Sequence, residues 1–292
     1  MSETFFLSPP RRDWALRARA NFRSKEAAPV DPLRARKEWL AFAERLDALG
    51  GRVIVLRSPD SALTGMPFAA EAGHVLRDGR FLLPRMAAVH RRGEETHWRL
   101  LCDRVGIATV ELQDGFFEGQ GDVGEFLGVT LVFFGGRSTE SGARAAAAAI
   151  GGETLLVRIK EPAFHGNMAL LPLERAKKML ICKDVVAPES LAAITARFGE
   201  GALVPITLDE LFAYSTNALP FADTILAPSL VPSRVVGLFE GLGYRVERLA
   251  MDELCGKAGG ASRCLVCRTS APLPDVPETF SLAAARAEIL AD

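Results

Sequence analysis

Apolar positions along the chain alternate between a helical period and short β-branched runs. Over residues 31–49, Trp39, Phe42, Ala43, Leu46 and Leu49 recur at helical spacings, with Asp31 placed as an N-cap, Pro32 in the first turn and Gly50-Gly51 closing the far end. This predicts an amphipathic helix. It runs directly into RVIVLRSP, a β-branched run ended by a proline, which reads as a strand. HVLRDGRFLLPRM reads as a hairpin turning at Asp78-Gly79, and the charged stretch from Gly93 to Asp103 as a helix. VGIATVEL and VTLVFFGG read as strands, Glu140 to Ile150 as a helix, ETLLVRIK as a strand, and MALLPL with KKMLICKDVV as a further strand pair. Beyond them, Pro188 to Phe198, Asp209 to Asn217 and Pro232 to Leu242 read as helices, and DTILAPSLV, YRVERLAM and RCLVCRTS as strands.

The alternation is α/β throughout. No linker rich in Pro, Gly or Ser and no low-complexity stretch divides the chain, so residues 1–292 are expected to form a single domain of repeated βαβ-like modules. Periodicity alone does not separate an open doubly wound sheet from a closed ring of modules.

Composition removes several functions. With 49% hydrophobic and 24% charged residues in 292, the chain is neither largely disordered nor fibrous. Lys+Arg 35 against Asp+Glu 36 leaves a formal charge of -1, so no global field favours nucleic acid or an anionic membrane as partner. No window approaches the ~18–20 apolar residues of a membrane span. The short FFL run near the N-terminus is broken by Pro9, Pro10, Arg11 and Arg12, so no signal peptide is expected and the location expected is cytoplasmic. Five cysteines, an odd number, then point to reduced thiols.

Three glycine-bearing segments concentrate reactive groups: FEGQGDV at 117–123, FHGNM at 164–168 and KAGGASRCLVCR at 257–268. They offer a thiol (Cys264), an imidazole (His165) and two carboxylates (Glu118 and Asp122), the parts of a nucleophilic site in which His is the general acid/base. The bland alternatives are a small core Cys, a buried structural His, and acids that bond backbone amides in a Gly-rich turn. Cys255, Cys264 and Cys267 include a Cys-x-x-Cys half-site, but no second ligand pair follows, and Cys264 and Cys267 fall on opposite faces if RCLVCR is a strand. No metal is expected. FEGQGDV lacks the Lys and Ser/Thr of a phosphate loop, and its carboxylates suit a cation.

Taken together and in order, these segments resemble the guanidino-group-modifying superfamily: dimethylarginine dimethylaminohydrolases, arginine deiminases, arginine dihydrolases and amidinotransferases. The resemblance covers almost the whole chain. It includes FLSPP, GGRVIVL, LTGMPFAAEAG with Phe68 and Glu71, RMAAVHRRGEE, FEGQGDV, VFFGGRSTES and, most specifically, MDELCGKAGGASRCLVCR. It implies a five-bladed α/β propeller (pentein) of ββαβ modules, pseudo-fivefold, with the site in the central channel and no metal or organic cofactor. The Cys264 thiolate would attack a guanidinium carbon, and His165 would protonate the departing amine and later activate water, through a thiouronium-type adduct. Glu118, Asp122 and Glu71 are available to the cation, with which charge complementarity agrees. Whether Glu118 or Asp122 is the catalytic acid is left open. Phe68 and Asn167 would contact substrate, and Arg85 and Arg137 would pair with its α-carboxylate.

The chain departs from the family's pattern at three places. His165-Gly166-Asn167 replaces His-Leu-Asp, Thr64-Gly65 replaces Pro-Asp, and Glu71 stands where relatives carry Asp or Asn. The leading expectation is a Cys-dependent hydrolase of an arginine-like guanidine, of arginine deiminase or methylarginine hydrolase type. An amidinotransferase or an arginine dihydrolase would use the same residues, Glu71 counting against the latter, which carries Asn there. A non-catalytic binding protein that keeps the fold is the contrasting class. The expected partner is a small-molecule guanidine, arginine or a derivative; a homo-oligomer is left open.

Overall fold

The carboxylate of Asp31 accepts the amide hydrogens of Leu33 and Arg34, and Pro32 occupies the first turn, where no intrahelical N–H is needed. In the computed structural model, which describes residues 3–291, this cap opens the longest helix. The chain begins with β1 (Thr4–Leu7), then α1 (Pro32–Ala48) and β2 (Arg52–Val55). Next come β3 (His74–Val75), β4 (Phe81–Leu82), α2 (Glu94–Arg104) and β5 (Thr109–Val110). The third unit is β6 (Val123–Phe126), β7 (Val129–Phe134), α3 (Glu140–Ile150) and β8 (Thr154–Arg158). A short α4 (Gly166–Ala169) leads into β9 (Leu170–Leu173), β10 (Lys178–Ile181), α5 (Pro188–Phe198) and β11 (Leu203–Pro205). After α6 (Leu208–Phe212) follow β12 (Leu219–Phe221), β13 (Thr224–Pro228), α7 (Ser233–Gly241) and β14 (Arg245–Leu249). β15 (Cys267–Thr269) and α8 (Leu282–Leu290) close the described chain.

The strands form five three-stranded sheets of one pattern. A central strand pairs antiparallel with one neighbour and parallel with the other, and the parallel partner follows a helix: β3-β4-α2-β5, β6-β7-α3-β8, β9-β10-α5-β11 and β12-β13-α7-β14. The fifth sheet joins the two ends of the chain, with β15 antiparallel to β1 (Phe5 opposite Arg268) and β1 parallel to β2 (Phe5 beside Val53). The α/β reading holds. One apolar cluster takes Phe5 from β1, Trp39 and Phe42 from α1, Phe133 from β7, Leu180 from β10 and Leu226 from β13, so several sheets share a core. Among the described residues no helix is long and apolar enough to cross a membrane.

Differences from the expected elements lie mostly where the site is built. Met168 and Ala169, expected in a strand, belong to α4. The helix expected through Asn217 stops at Phe212; Tyr214 takes a left-handed conformation (φ 60°) and Ser215–Asn217 form a 3₁₀ turn. In RCLVCRTS only Cys267–Thr269 pair, because the Cys264 amide hydrogen closes on Ala261 O and its carbonyl accepts from Ala70 N, taking both groups out of any ladder. Neither β1 nor α8 was expected. The four-residue β1 is too short for a visible alternation, and LAAARAEIL presents no clear apolar stripe.

Candidate active site

The nucleophile candidate sits in a turn beyond the π-helical segment Asp252–Lys257 and Gly259-Gly260. Its Sγ accepts hydrogen bonds from Asn217 Nδ2 (3.2 Å) and Asn167 Nδ2 (3.5 Å), while the Cys264 amide donates to Asn217 Oδ1 (3.2 Å). Burial pushes the thiol up to about 12; Glu71 adds to the shift, and the two amides oppose it. The resting group is therefore a thiol held in place by two donors that favour the thiolate.

His165 precedes α4 in extended backbone. Gly166 has no room for a side chain, since a Cβ there would lie 2.1 Å from the Phe133 ring, which accounts for glycine at the first departure from the family pattern. The His165 ring is fully buried. Its Nε2 lies 2.8 Å from Glu118 Oε2, and its Nδ1 faces Glu71 Oε1 at 3.4 Å without a hydrogen bond. Burial alone would depress its pKa, but the charges of Glu71 and Asp122 and the bond to Glu118 more than reverse this, so it lies above the ordinary 6.5.

The two acids left open by the sequence occupy different places. Burial would raise the Glu118 carboxyl, but the His165 bond and charge, with Arg137 and Arg91, hold it at about 2; its Oε1 also accepts from Ala87 N (3.1 Å). Asp122 does not bond the imidazole. It accepts from Ser138 Oγ (2.5 Å) and Gly166 N (2.7 Å), and burial lifts it to about 6.

Glu71 is buried and paired with Arg91 Nη1. Arg91 also donates from Nε to Glu94 Oε1 (2.9 Å), and from Nη2 to Glu94 Oε2 (2.5 Å) and Gly65 O (2.9 Å). A Cβ at Gly65 would lie 2.2 Å from Arg91 Nε, so glycine at that departure makes the space that the guanidinium fills. Arg137 stacks over Phe164 with its Cζ 5.0 Å from the ring centre, and its Nη1 lies 3.7 Å from Glu118 Oε2. Phe68, Glu71, Arg91, Arg137, Phe164 and Cys264, with Leu16, Ala18, Ala20 and Asn21, line one narrow cleft of about 50 Å³. His165, Glu118, Asp122 and Asn167 stand behind this wall.

Arg85, expected beside Arg137, is not brought into the cleft. Its backbone bridges to Phe117 and its exposed guanidinium lies 5.9 Å from the Phe116 ring centre. Asn217 and Arg91 were not singled out from sequence. Asn217 lies in a stretch whose period read as helix; for Arg91 the one available signal was an arginine three residues before Glu94. Among the described residues no three His, Cys, Asp or Glu side chains gather as metal ligands, and all five cysteines are free.

No protein-family model matches the chain. It is 28% identical over 262 residues, 85% of its length, to the bifunctional arginine dihydrolase/ornithine cyclodeaminase ArgZ of Synechocystis sp., and it spans only 35% of that protein. The N-terminal domain of ArgZ bound to product shares its fold with a TM-score of 0.85 at 23% identity, over 95% of this chain and 100% of that one. A dimethylarginine dimethylaminohydrolase, solved as an adduct with 4-chloro-2-hydroxymethylpyridine, shares it with a TM-score of 0.71 at 19% identity, over 92% of this chain and 100% of the other.

Proposed function

We propose that this chain, which belongs to the guanidino-group-modifying superfamily, hydrolyses a C–N bond of an arginine-like guanidine through a covalent adduct on Cys264. The five ββαβ sheets are read as the blades of a single-domain propeller with this cleft at its centre. The observation that carries the reading is the placing of Cys264 Sγ in a cleft walled by Glu71, with His165 held between Glu71 and Glu118 behind it.

The chemistry follows from the charges. A guanidinium stays protonated in any protein, so its arrival beside Glu71 brings a positive charge that opposes both the burial and the Glu71 charge that keep Cys264 a thiol, and the thiol proton leaves to solvent. The thiolate adds to the guanidinium carbon. His165, favoured as the imidazolium, gives its proton to the departing nitrogen as the C–N bond breaks and ammonia or an alkylamine leaves. The neutral imidazole then takes a proton from the water that attacks the thiouronium carbon, and the C–S bond breaks to release a ureido product. Glu118 orients His165 throughout and is the acid assigned to catalysis; Asp122 positions the Gly166 amide beside it. Asn217 and Asn167 hold the sulfur, Phe68 flanks the cleft, and Arg137 takes the substrate carboxylate without Arg85.

The test is incubation with arginine, its N-methylated forms and agmatine, following ureido product by mass spectrometry, repeated with Cys264→Ser. Turnover of at least one guanidine that Cys264→Ser abolishes is expected. No turnover of any, or turnover that survives Cys264→Ser, refutes the reading. Dihydrolysis is the second reading, favoured by the sequence similarity to an arginine dihydrolase. The ureido product would then itself be hydrolysed to the amine, which the same spectra separate.

A further inference from the structure

We propose that this chain carries a second ligand site, for a small organic anion bearing a carboxylate or phosphate group, on the far side of the turn that holds Cys264. Cys264 lines the cleft described above, whereas the preceding residue, Arg263, lines a separate cavity of about 450 Å³; no described residue lines both. The larger cavity has no part in the proposed hydrolysis, so the inference stands whether or not that reading holds.

Its wall is short of negative charge around Arg263, a half-buried side chain. Arg263 Nη1 donates to three backbone carbonyls, Leu170 O (2.7 Å), Thr216 O (2.9 Å) and Asn167 O (3.4 Å). These occupy Nη1 and leave Nε and Nη2 for a ligand, and the charge has no carboxylate partner among the described residues. Burial, reinforced by the nearby charge of Arg268, accordingly pulls its pKa down to about 9. Arg268 donates to Pro220 O (2.8 Å), and its carboxylate neighbour is Glu3 at 3.4 Å. His74, also in the wall, is held neutral by burial, its pKa about 4. Among the described residues, Arg77, Arg263 and Arg268 thus share one cavity wall with Glu3 and Glu125, leaving an excess of one cation.

Two guanidiniums from one short segment, lining the same space and repelling each other, form a site for an oxyanion that pairs with both. The remaining wall includes Val266, Leu219 and Pro172, against which an uncharged portion of the ligand packs. The volume exceeds what a single phosphate ion fills, which selects a larger, metabolite-sized anion.

The probes are pyrophosphate and citrate, titrated into the full chain by calorimetry against sodium chloride at matched ionic strength. Saturable binding of at least one is expected, weakened about tenfold or more in Arg268→Gln and unchanged in Arg144→Gln, an exposed arginine remote from the cavity lining. Binding of pyrophosphate alone assigns a phosphate ligand, and of citrate alone a carboxylate. No saturable binding of either, or equal binding by Arg268→Gln, overturns the proposal. Should Arg268→Gln fail to fold, phenylglyoxal labelling of the native chain decides. Protection of Arg263 and Arg268 by the bound probe supports the site, and protection of Arg137 instead, or of neither arginine, overturns it.

Discussion

Glu118→Gln tests the His165 arrangement directly. The glutamine keeps an oxygen for the Ala87 amide and much the same shape, but removes the charge 2.8 Å from His165 Nε2. The Glu118 carboxyl lies at about 2 in the folded protein against the ordinary 4.5, a difference of about 2.5, and at about 1.4 kcal/mol for each pH unit the native state favours the carboxylate by about 3 kcal/mol. The side chain is fully buried, so solvent screening takes nothing from this figure. Because the folded pKa is the lower one, the stabilisation is complete above the unfolded value and is lost as pH falls from about 4.5 to about 2. Urea unfolding at pH 7 should therefore show Glu118→Gln less stable by about 3 kcal/mol, with the gap to the native sequence narrowing at pH 4 and further at pH 3. The His165 titration, followed by NMR, should move to lower pH in the variant, since the hydrogen bond to a carboxylate that raises it is gone. Equal stability at pH 7, or an unmoved His165 titration, refutes the dyad.

Three other outcomes are expected. Alkylation of Cys264 by neutral iodoacetamide should rise with pH without reaching a plateau below pH 10, as a thiol pushed up to about 12 requires, and a cationic amidine should label it faster; a plateau near pH 7 would contradict the assigned environment. Arg137→Ala should raise KM for an α-amino acid guanidine about 10–100-fold, with kcat falling less, while Arg85→Ala and the use of agmatine show no such effect; steady-state kinetics on the three checks it. Gly166→Ala should destabilise by about 1–3 kcal/mol, because its Cβ would press on the ring of Phe133 at 2.1 Å, and an unchanged Tm would show that the packing yields.

What the sequence disclosed and what it concealed divide along a physical line. The helices at Pro32–Ala48 and Glu140–Ile150 were legible because cap, first turn and apolar face all lie within one stretch of chain. Cys264, His165 and the pair Glu118 and Asp122 were legible as candidates because they stand in glycine-bearing segments of an otherwise regular α/β pattern, though the sequence did not choose between the two acids. Asn217 was not, because the left-handed turn at Tyr214 that presents it interrupts a run with helical period. Arg85 and Arg91 belong to one basic run, and only the bridge of Arg85 to Phe117 and the burial of Arg91 separate a surface arginine from one in the cleft. The ion pair between Glu71 and Arg91 joins residues twenty apart and follows from no local rule.

The departures from the pattern that the sequence resembles compensate for one another. Gly65 removes an acid and opens the space in which Arg91 lies, so the guanidinium already in this wall is the protein's own and Glu71 is its counter-ion. Asn167 removes a second acid, but an aspartate there would present only acceptors to Cys264 Sγ and push the thiol further up, whereas the amide donates to it. The site thus exchanges carboxylates that would attract a cation for an amide that favours a thiolate. What attraction remains rests on Glu71, whose carboxylate is shared between Arg91 and the Nδ1 edge of His165. A substrate guanidinium must therefore compete with Arg91 for Glu71 in a cleft of about 50 Å³. Binding weaker than in a site with free carboxylates, together with a sulfur already oriented by Asn217 and Asn167, places the demand for affinity on the far end of the substrate, where Arg137 stands with a carboxylate partner no nearer than 3.7 Å.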